Sequence, residues 1–349
     1  MKHLFLTAVA AVSIAVPALA QDAAEIPSPG EIAAAAPAKD WVRMVPSDLL
    51  VMDLAPDANG KPRRVVIQLI PAPFSQGWIS NIRKLAAAHW WDGTSINRVQ
   101  DNYVAQWGDA TEKKVLPEGL ATVPESLYQT ANEGPIKTIW INGGKVPARR
   151  MIAPTLTTEI NQKFTDPYAG AFAFSAGMPI AVRSKIELEQ KLDPAGNVKA
   201  TLEYATVENS WPIHCYGAVG VGRNMSPDTG SGAELYAVIG HAPRHLDRNI
   251  AVVGRVISGI EHLSSLPRGT EALGFYKDEA ERTPIASIRL ATELPVADQP
   301  KFEYLSTDSD SFAKYADARA NRRDPFFIKP AGGADICNIP VPVRATAVK

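Results

Sequence analysis

Arg98 and Gln106 are the residues whose type and setting most directly suggest chemistry. They lie in Ser95 to Asp109, Ser-Ile-Asn-Arg-Val-Gln-Asp-Asn-Tyr-Val-Ala-Gln-Trp-Gly-Asp. Apolar Ile96 and Val99, the polar turn Gln100-Asp101-Asn102 and then Tyr103-Val104-Ala105 read as strand, tight turn, strand. An Arg inside such a strand is unfavourable unless it is paired or faces a ligand, so its placement suggests a site. The plainer reading is an Arg at a strand edge with its head in water. Other chemistries find less support. Gly230-Ser231-Gly232 lacks the spacing of a phosphate loop and the Lys-Ser/Thr that should follow it. His241 and His245 have the i,i+4 spacing that suits a metal on a helix, but Pro243 between them points to a loop and no third ligand is evident. No Ser-His-Asp or Cys-His nucleophile arrangement stands out, and Glu279 and Glu281 read as a solvated surface. The pattern implies no metal and no other cofactor.

The elements that must hold this hairpin surround it in sequence. Asp48 to Leu54 and Arg64 to Leu69 read as two strands joined by the turn Asp57-Ala58-Asn59-Gly60. Between Pro71 and Trp91, the residues Phe74, Trp78, Ile82 and Leu85 fall on one helical face, with Pro73 acceptable in the first turn and Asp92-Gly93 as the stop. After Asp109 the pattern dissolves into a long Pro- and Gly-punctuated stretch. It holds one hairpin (Thr138 to Trp140, turn Asn142-Gly143-Gly144), an apolar patch from Tyr168 to Met178 and a charged run from Lys185 to Lys191. His214 to Arg223, Ala233 to Gly240 and Ile250 to Ile257 read as strands separated by loops. Gly259 to Leu263 then reads as a helix and Pro284 to Leu290 as a closing strand. The polar tail from Pro295 carries Arg319, Arg322 and Arg323 on an exposed helix from Ser311 to Arg323 that packs one side inward.

Ile96-Asn97-Arg98-Val99, followed by Tyr103-Val104-Ala105-Gln106-Trp107-Gly108-Asp109, resembles the cyclophilin signature: Phe-His-Arg-Ile/Val, a short turn, then Phe-Met/Val-x-Gln-Gly-Gly-Asp. Asn81-Ile82-Arg83-Lys84-Leu85 is similar to that family's Asn-Phe-x-x-Leu. Gly232-Ala233-Glu234-Leu235-Tyr236, Leu246-Asp247 and Val252-Val253-Gly254-Arg255-Val256 match its Gly-Ser-Gln-Phe-Phe, Leu-Asp and Val-Phe-Gly-x-Val blocks in order. The resemblance covers 48–109 and 213–292. It implies a mainly β fold, a closed antiparallel cyclophilin-like β-barrel capped by two helices, with a large inserted segment and a C-terminal extension. The division expected is a barrel domain over 41–294 with the insertion at 110–212, packed on the barrel as a decoration, and an extension at 295–349 packed on the barrel.

Cyclophilins are peptidyl-prolyl cis-trans isomerases, and the resemblance implies that activity here. Arg98 is then the donor to the prolyl nitrogen and Gln106 orients it. Tyr103, Val104, Leu235, Tyr236, Leu246 and Ile250 line the proline pocket, with His245 and Glu234 beside it and Arg223 binding the peptide backbone. The chain departs from the family pattern at Ile96-Asn97 for Phe-His, Trp107 for Gly, Ala233-Glu234 for Ser-Gln, His245 for Trp or Phe, and Ile250 for His. A Glu at 234 raises the expectation of an ion pair with Arg98. These departures and the insertion keep a second reading open, a catalytically weak peptide-binding module or chaperone on the same fold.

Met1-Lys2-His3, the apolar run Leu4 to Val16 and Pro17-Ala18-Leu19-Ala20 read as a secretory signal peptide over 1–20, cleaved after Ala20. The Ala- and Pro-rich stretch over 21–40 reads as a flexible leader. The expectation is a periplasmic protein acting on proline-containing, unfolded or folding exported polypeptides. With 46% hydrophobic and 21% charged residues and a formal net charge of −1, nothing favours nucleic acid or a membrane surface as a partner. Of the two cysteines, Cys215 and Cys337 either pair in an oxidising compartment or stay apart, Cys215 buried and Cys337 exposed.

Overall fold

Eight antiparallel strands close on themselves around a core of alternating apolar side chains. The computed structural model describes residues 26–131, 138–141, 144–147, 151–152, 168–196, 198–330 and 332–346; the expected signal peptide lies outside them, as does the turn pair 142–143. The barrel strands are β1 (Leu49–Leu54), β2 (Arg63–Leu69), β3 (Ser95–Val99), β4 (Val104–Gly108), β5 (Ala218–Val221), β6 (Leu235–Val238), β7 (Val252–Ser258) and β8 (Thr283–Leu290). Around the barrel they run β5-β6-β4-β3-β8-β1-β2-β7, and β7 pairs back to β5. Leu50, Met52 and Leu54 alternate into the interior with Val65, Ile67 and Leu69, as the period of two requires. Leu49, Val51 and Val66 face outward into a second apolar layer with Met44 and Ala291. Both faces of β1 are therefore buried, which is why its sequence is apolar almost throughout.

Four helices are present among the described residues: α1 (Pro29–Ala34), α2 (Gln76–Ala87), α3 (Glu261–Ser264) and α4 (Asp310–Ala320). The expected face Phe74, Trp78, Ile82 and Leu85 is at most 2% exposed and plugs one end of the barrel. The helix itself begins later than Pro73, because Ser75 takes a left-handed φ of 54° just before it. Beyond its end, Trp91 Nε1 donates to the carbonyl of Ala233 at 2.8 Å, tying this end to the approach to β6.

One expectation changes. The leader over 21–40 is structured from Ser28: Ser28 and Glu31 form a reciprocal capping box on α1, and Ala33, Ala36 and Trp41 are buried against Phe312, Tyr315 and Ala316. Capping supplies the local order that an Ala- and Pro-rich composition conceals. The insertion, expected as a decoration packed on the barrel, supplies a second sheet from its described strands. Its long hairpin pairs Met178–Leu192 with Val198–Pro212, and Ala171–Ser175 adds alongside. Ala171, Ala173, Met178, Ile180 and Val182 pack into the barrel core, while Phe174, Ala181 and Trp211 join the cluster that holds the C-terminal extension.

That extension contributes Phe302–Leu305 and Val343–Ala345 to a small sheet with Trp41–Arg43. Its helix α4 buries Phe312, Tyr315, Ala316 and Ala320 on one side. The three clustered arginines of the tail are occupied: Arg319 on the carbonyl of Asn338, Arg322 on Asp324 and Arg323 on Asp317. Cys215 and Cys337 are joined, S–S 2.07 Å, linking the segment before β5 to this extension.

Candidate active site on the outer wall of the barrel

Arg98 reaches the outer surface because β3 carries a bulge. Ile96 and Val99 both face the interior although they are three residues apart, which strict alternation forbids. The register shifts between Ile96 and Arg98, so Asn97 is the extra residue and Arg98 comes to lie opposite Gln106 of β4. Arg98 Nη1 donates to Gln106 Oε1 at 3.1 Å, its Nε donates to the carbonyl of Leu273 at 2.7 Å, and its Nη2 donates to Gln100 Oε1. The guanidinium carbon lies 5.7 Å from the ring centre of Tyr103 and 5.3 Å from that of Phe275. Burial lowers the pKa of Arg98 from its ordinary value, opposed by the charges of Tyr103 and Tyr236. Three of the five guanidinium N–H groups are thus committed to the protein, and one on each Nη remains for a ligand.

Beside this fork lies an apolar recess. Val104, Tyr236, Val238, Val252 and Ala218 are buried on the outer wall, with Tyr103, Leu246 and Ile250 packed partly exposed against them. Gly220 is required by the recess: a Cβ there would lie 2.3 Å from the hydroxyl of Tyr236. His245 stacks on Tyr103 at the rim, ring centres 6.4 Å apart and planes within 8°. The expected Tyr103, Val104, Tyr236, Leu246 and Ile250 are therefore brought together.

Leu235 is not among them. It is 1% exposed and faces the barrel interior, since its neighbour Tyr236 takes the outward position on β6. Arg223 is also differently occupied. Its Nε and Nη2 donate to the carbonyl of Asn249 at 3.0 and 2.9 Å, and its Nη1 to that of Asn224 at 2.6 Å, so it braces the loop that walls the site.

Glu234 does not pair with Arg98. Its carboxylate receives Asn97 Nδ2 at 3.5 Å and interacts with Gln106, and burial raises its pKa from the ordinary value. It occupies the space over Gly108, where a Cβ would come within 1.8 Å of Glu234 Oε1. Any side chain at 108 would displace it.

Further residues of the candidate site are not singled out for it by the sequence. Gln100, Leu273 and Phe275 hold the guanidinium, and Val238, Val252 and Ala218 complete the recess. The backbone of the 269–276 loop bonds along β3, Gly269 N to Val99 O at 3.0 Å and Tyr276 N to Asn97 O at 3.1 Å. Gln100 was legible as part of the turn beside Arg98; the irregular run holding Leu273 and Phe275 carries no period that marks it.

Residues 75–290 match the model of the family described as cyclophilin type peptidyl-prolyl cis-trans isomerase/CLD. No curated protein matches the sequence. Among solved structures, a cyclophilin from Hirschia baltica is 20% identical, with a TM-score of 0.58 over 88% of this chain and 94% of that one. A Cryptosporidium parvum cyclophilin type peptidyl-prolyl cis-trans isomerase, crystallised in the presence of the dipeptide Ala-Pro, is 10% identical, with a TM-score of 0.33 over 69% of this chain and 98% of that one.

Proposed function

Since the chain belongs to the cyclophilin-type peptidyl-prolyl cis-trans isomerase family, we propose that its Arg98 site catalyses rotation about X–Pro bonds in exported polypeptides. The barrier, about 18–20 kcal/mol, comes from amide resonance. Twisting the bond breaks that resonance, localises a lone pair on the prolyl nitrogen and makes it more basic. No nucleophile, acid or metal is needed. What is needed is a donor placed where that lone pair develops, and contacts that hold one side of the bond while the other turns.

Arg98 provides the donor. Gln106, Gln100 and the carbonyl of Leu273 fix its fork, while the rings of Tyr103 and Phe275 flank it. Val104, Tyr236, Leu246 and Ile250 take the pyrrolidine ring. The observation that carries this reading is the combination of two uncommitted guanidinium N–H groups with an apolar recess next to them. The sequence of residues 1–20 supports export, and the Cys215–Cys337 bond is consistent with an oxidising compartment such as a periplasm. The clients are then proline-containing segments of folding envelope proteins.

Glu234 favours a second reading, a binding module with little turnover, because a buried carboxyl group stands where the family pattern has Gln, next to the Gln106 that holds Arg98. Isomerisation of an X–Pro tetrapeptide by the mature protein, with Arg98→Ala alongside, separates the two. Acceleration that is lost in the variant supports the isomerase. Folded wild-type protein that binds the peptide without accelerating its isomerisation supports the binding module.

A further inference from the structure

Beneath the proline recess runs a buried polar chain that the isomerase mechanism does not itself require. The hydroxyl of Tyr236 lies 2.9 Å from His214 Nε2, and His214 Nδ1 lies 2.9 Å from Asp247 Oδ1. The same Oδ1 accepts the backbone N–H of His214 at 3.0 Å, and Arg244 Nε donates to Asp247 Oδ2 at 2.6 Å. The side chains of His214, Asp247 and Arg244 are 0%, 1% and 7% exposed. Arg244 in turn lies 5.4 Å from the ring centres of both Tyr168 and Phe172, which belong to the inserted segment.

Arg244 pairs with Asp247, and the imidazole lies between that carboxylate and Tyr236. In the tautomer that commits Nδ1–H to the carboxylate, Nε2 is the acceptor for the Tyr236 hydroxyl. The two rings also stack, centres 6.2 Å apart and planes within 13°. The tyrosine that floors the recess is thereby held at its hydroxyl end by His214. Leu246, on the rim, is the immediate neighbour of Asp247, so the chain reaches a second wall of the pocket through the backbone.

We propose that His214 is a positioning residue for the X–Pro site, fixing the Tyr236 ring through its hydroxyl, and that the Arg244–Asp247 pair links this anchor to the inserted sheet. The proposal rests on the reading of the recess as the proline pocket. Because the floor contacts proline in ground and transition states alike, loss of the anchor acts on KM more than on kcat.

The test is a double-mutant cycle on tetrapeptide isomerisation. His214→Asn keeps a donor where Nδ1 lies and removes the acceptor for Tyr236; Tyr236→Phe keeps the ring and removes the hydroxyl. Each single change is expected to raise KM about fivefold, the equivalent of one net hydrogen bond, with kcat changed less than twofold. The double variant is expected to match the singles, and His214→Gln, which places an amide near the Nε2 position, is expected to recover part of the loss. An equal effect of His214→Asn in the wild-type and Tyr236→Phe backgrounds overturns the proposal. So does an unchanged KM in Tyr236→Phe, which decides the matter even if His214→Asn fails to fold. If wild type and Arg98→Ala isomerise the peptide equally poorly, the isomerase reading fails separately. The same cycle is then scored on the Kd of the tetrapeptide by NMR titration, where additive effects or an absence of binding overturn the anchor as well.

Discussion

Replacing Arg98 by Lys keeps the charge at the site and removes the fork, so it isolates what the geometry contributes. The guanidinium holds its direction through Gln106, Gln100 and the carbonyl of Leu273, and presents one further N–H from each Nη. A lysine ammonium on a flexible stem cannot satisfy those acceptors and also present a donor in a fixed direction. Loss of one preorganised donor aimed at a developing charge costs about 2.7–4 kcal/mol, or about 10²–10³ in rate. A residual electrostatic contribution from the ammonium places the expected loss near the lower bound, about 100-fold in kcat. The recess of Val104, Tyr236, Leu246 and Ile250 is untouched, so affinity for the ground-state peptide should change by less than about fivefold. The assay is two-dimensional exchange NMR on an Ala-Pro tetrapeptide at saturating and sub-saturating concentrations, with rates normalised to the fraction folded by urea titration of the same sample. A kcat within threefold of wild type, or a loss confined to KM, would refute the argument that the fork is the source of catalysis.

The remaining expectations concern the surroundings of the site and the frame that holds it. Burial raises the pKa of Glu234, so the folded protein binds its proton more tightly than the unfolded chain. The associated stability is fully present below the ordinary value of 4.5 and is lost as pH rises through the raised one. Glu234→Gln should therefore be more stable than wild type at pH 7.5 and nearly equal to it at pH 4; the same urea-midpoint difference at both pH values would contradict this. The Cys215–Cys337 bond closes a sequence separation of 122 residues, and by chain entropy its removal should cost about 3–5 kcal/mol. Thermal melting with and without reductant reads this, and an unchanged midpoint would mean that the bond constrains nothing. Arg255 donates from Nε to Gln68 Oε1 at 3.0 Å while its Nη2 is enclosed without a hydrogen-bond partner, and burial pushes its pKa down to about 10. Arg255→Met together with Gln68→Leu should raise stability by about 1–3 kcal/mol, whereas Arg255→Met alone gains less because Gln68 is left unpaired. Chemical denaturation of both variants checks the order.

What the sequence makes legible is the alternation, and what it hides is the partner of each buried polar group. The β1–β2 hairpin and the helical face from Phe74 to Leu85 follow from local periods and turn signals, whereas the pairing of Arg98 with Gln106 is implied only by the resemblance of their motif to the family's. Leu235 and Tyr236 show the limit of a motif without a register: both look like pocket residues until the pairing of β6 with β4 places one on each side of the wall. The bulge at Asn97 is equally silent, because one extra residue changes the facing of Arg98 without changing its neighbours in sequence. Phe275 meets Arg98 from a loop with no period, and His214 finds Tyr236 and Asp247 at separations of 22 and 33 residues. The same reasoning bears on the insertion. Its segment 168–172 could be read from its apolar residues as something that packs, but not as something that covers a charge. With Tyr168 and Phe172 over Arg244, and Arg244 on the carboxylate that holds His214, removing the insertion uncovers a buried ion pair three side chains from the proline recess. Trimming this chain to the barrel alone should therefore alter the site and not merely shorten the protein.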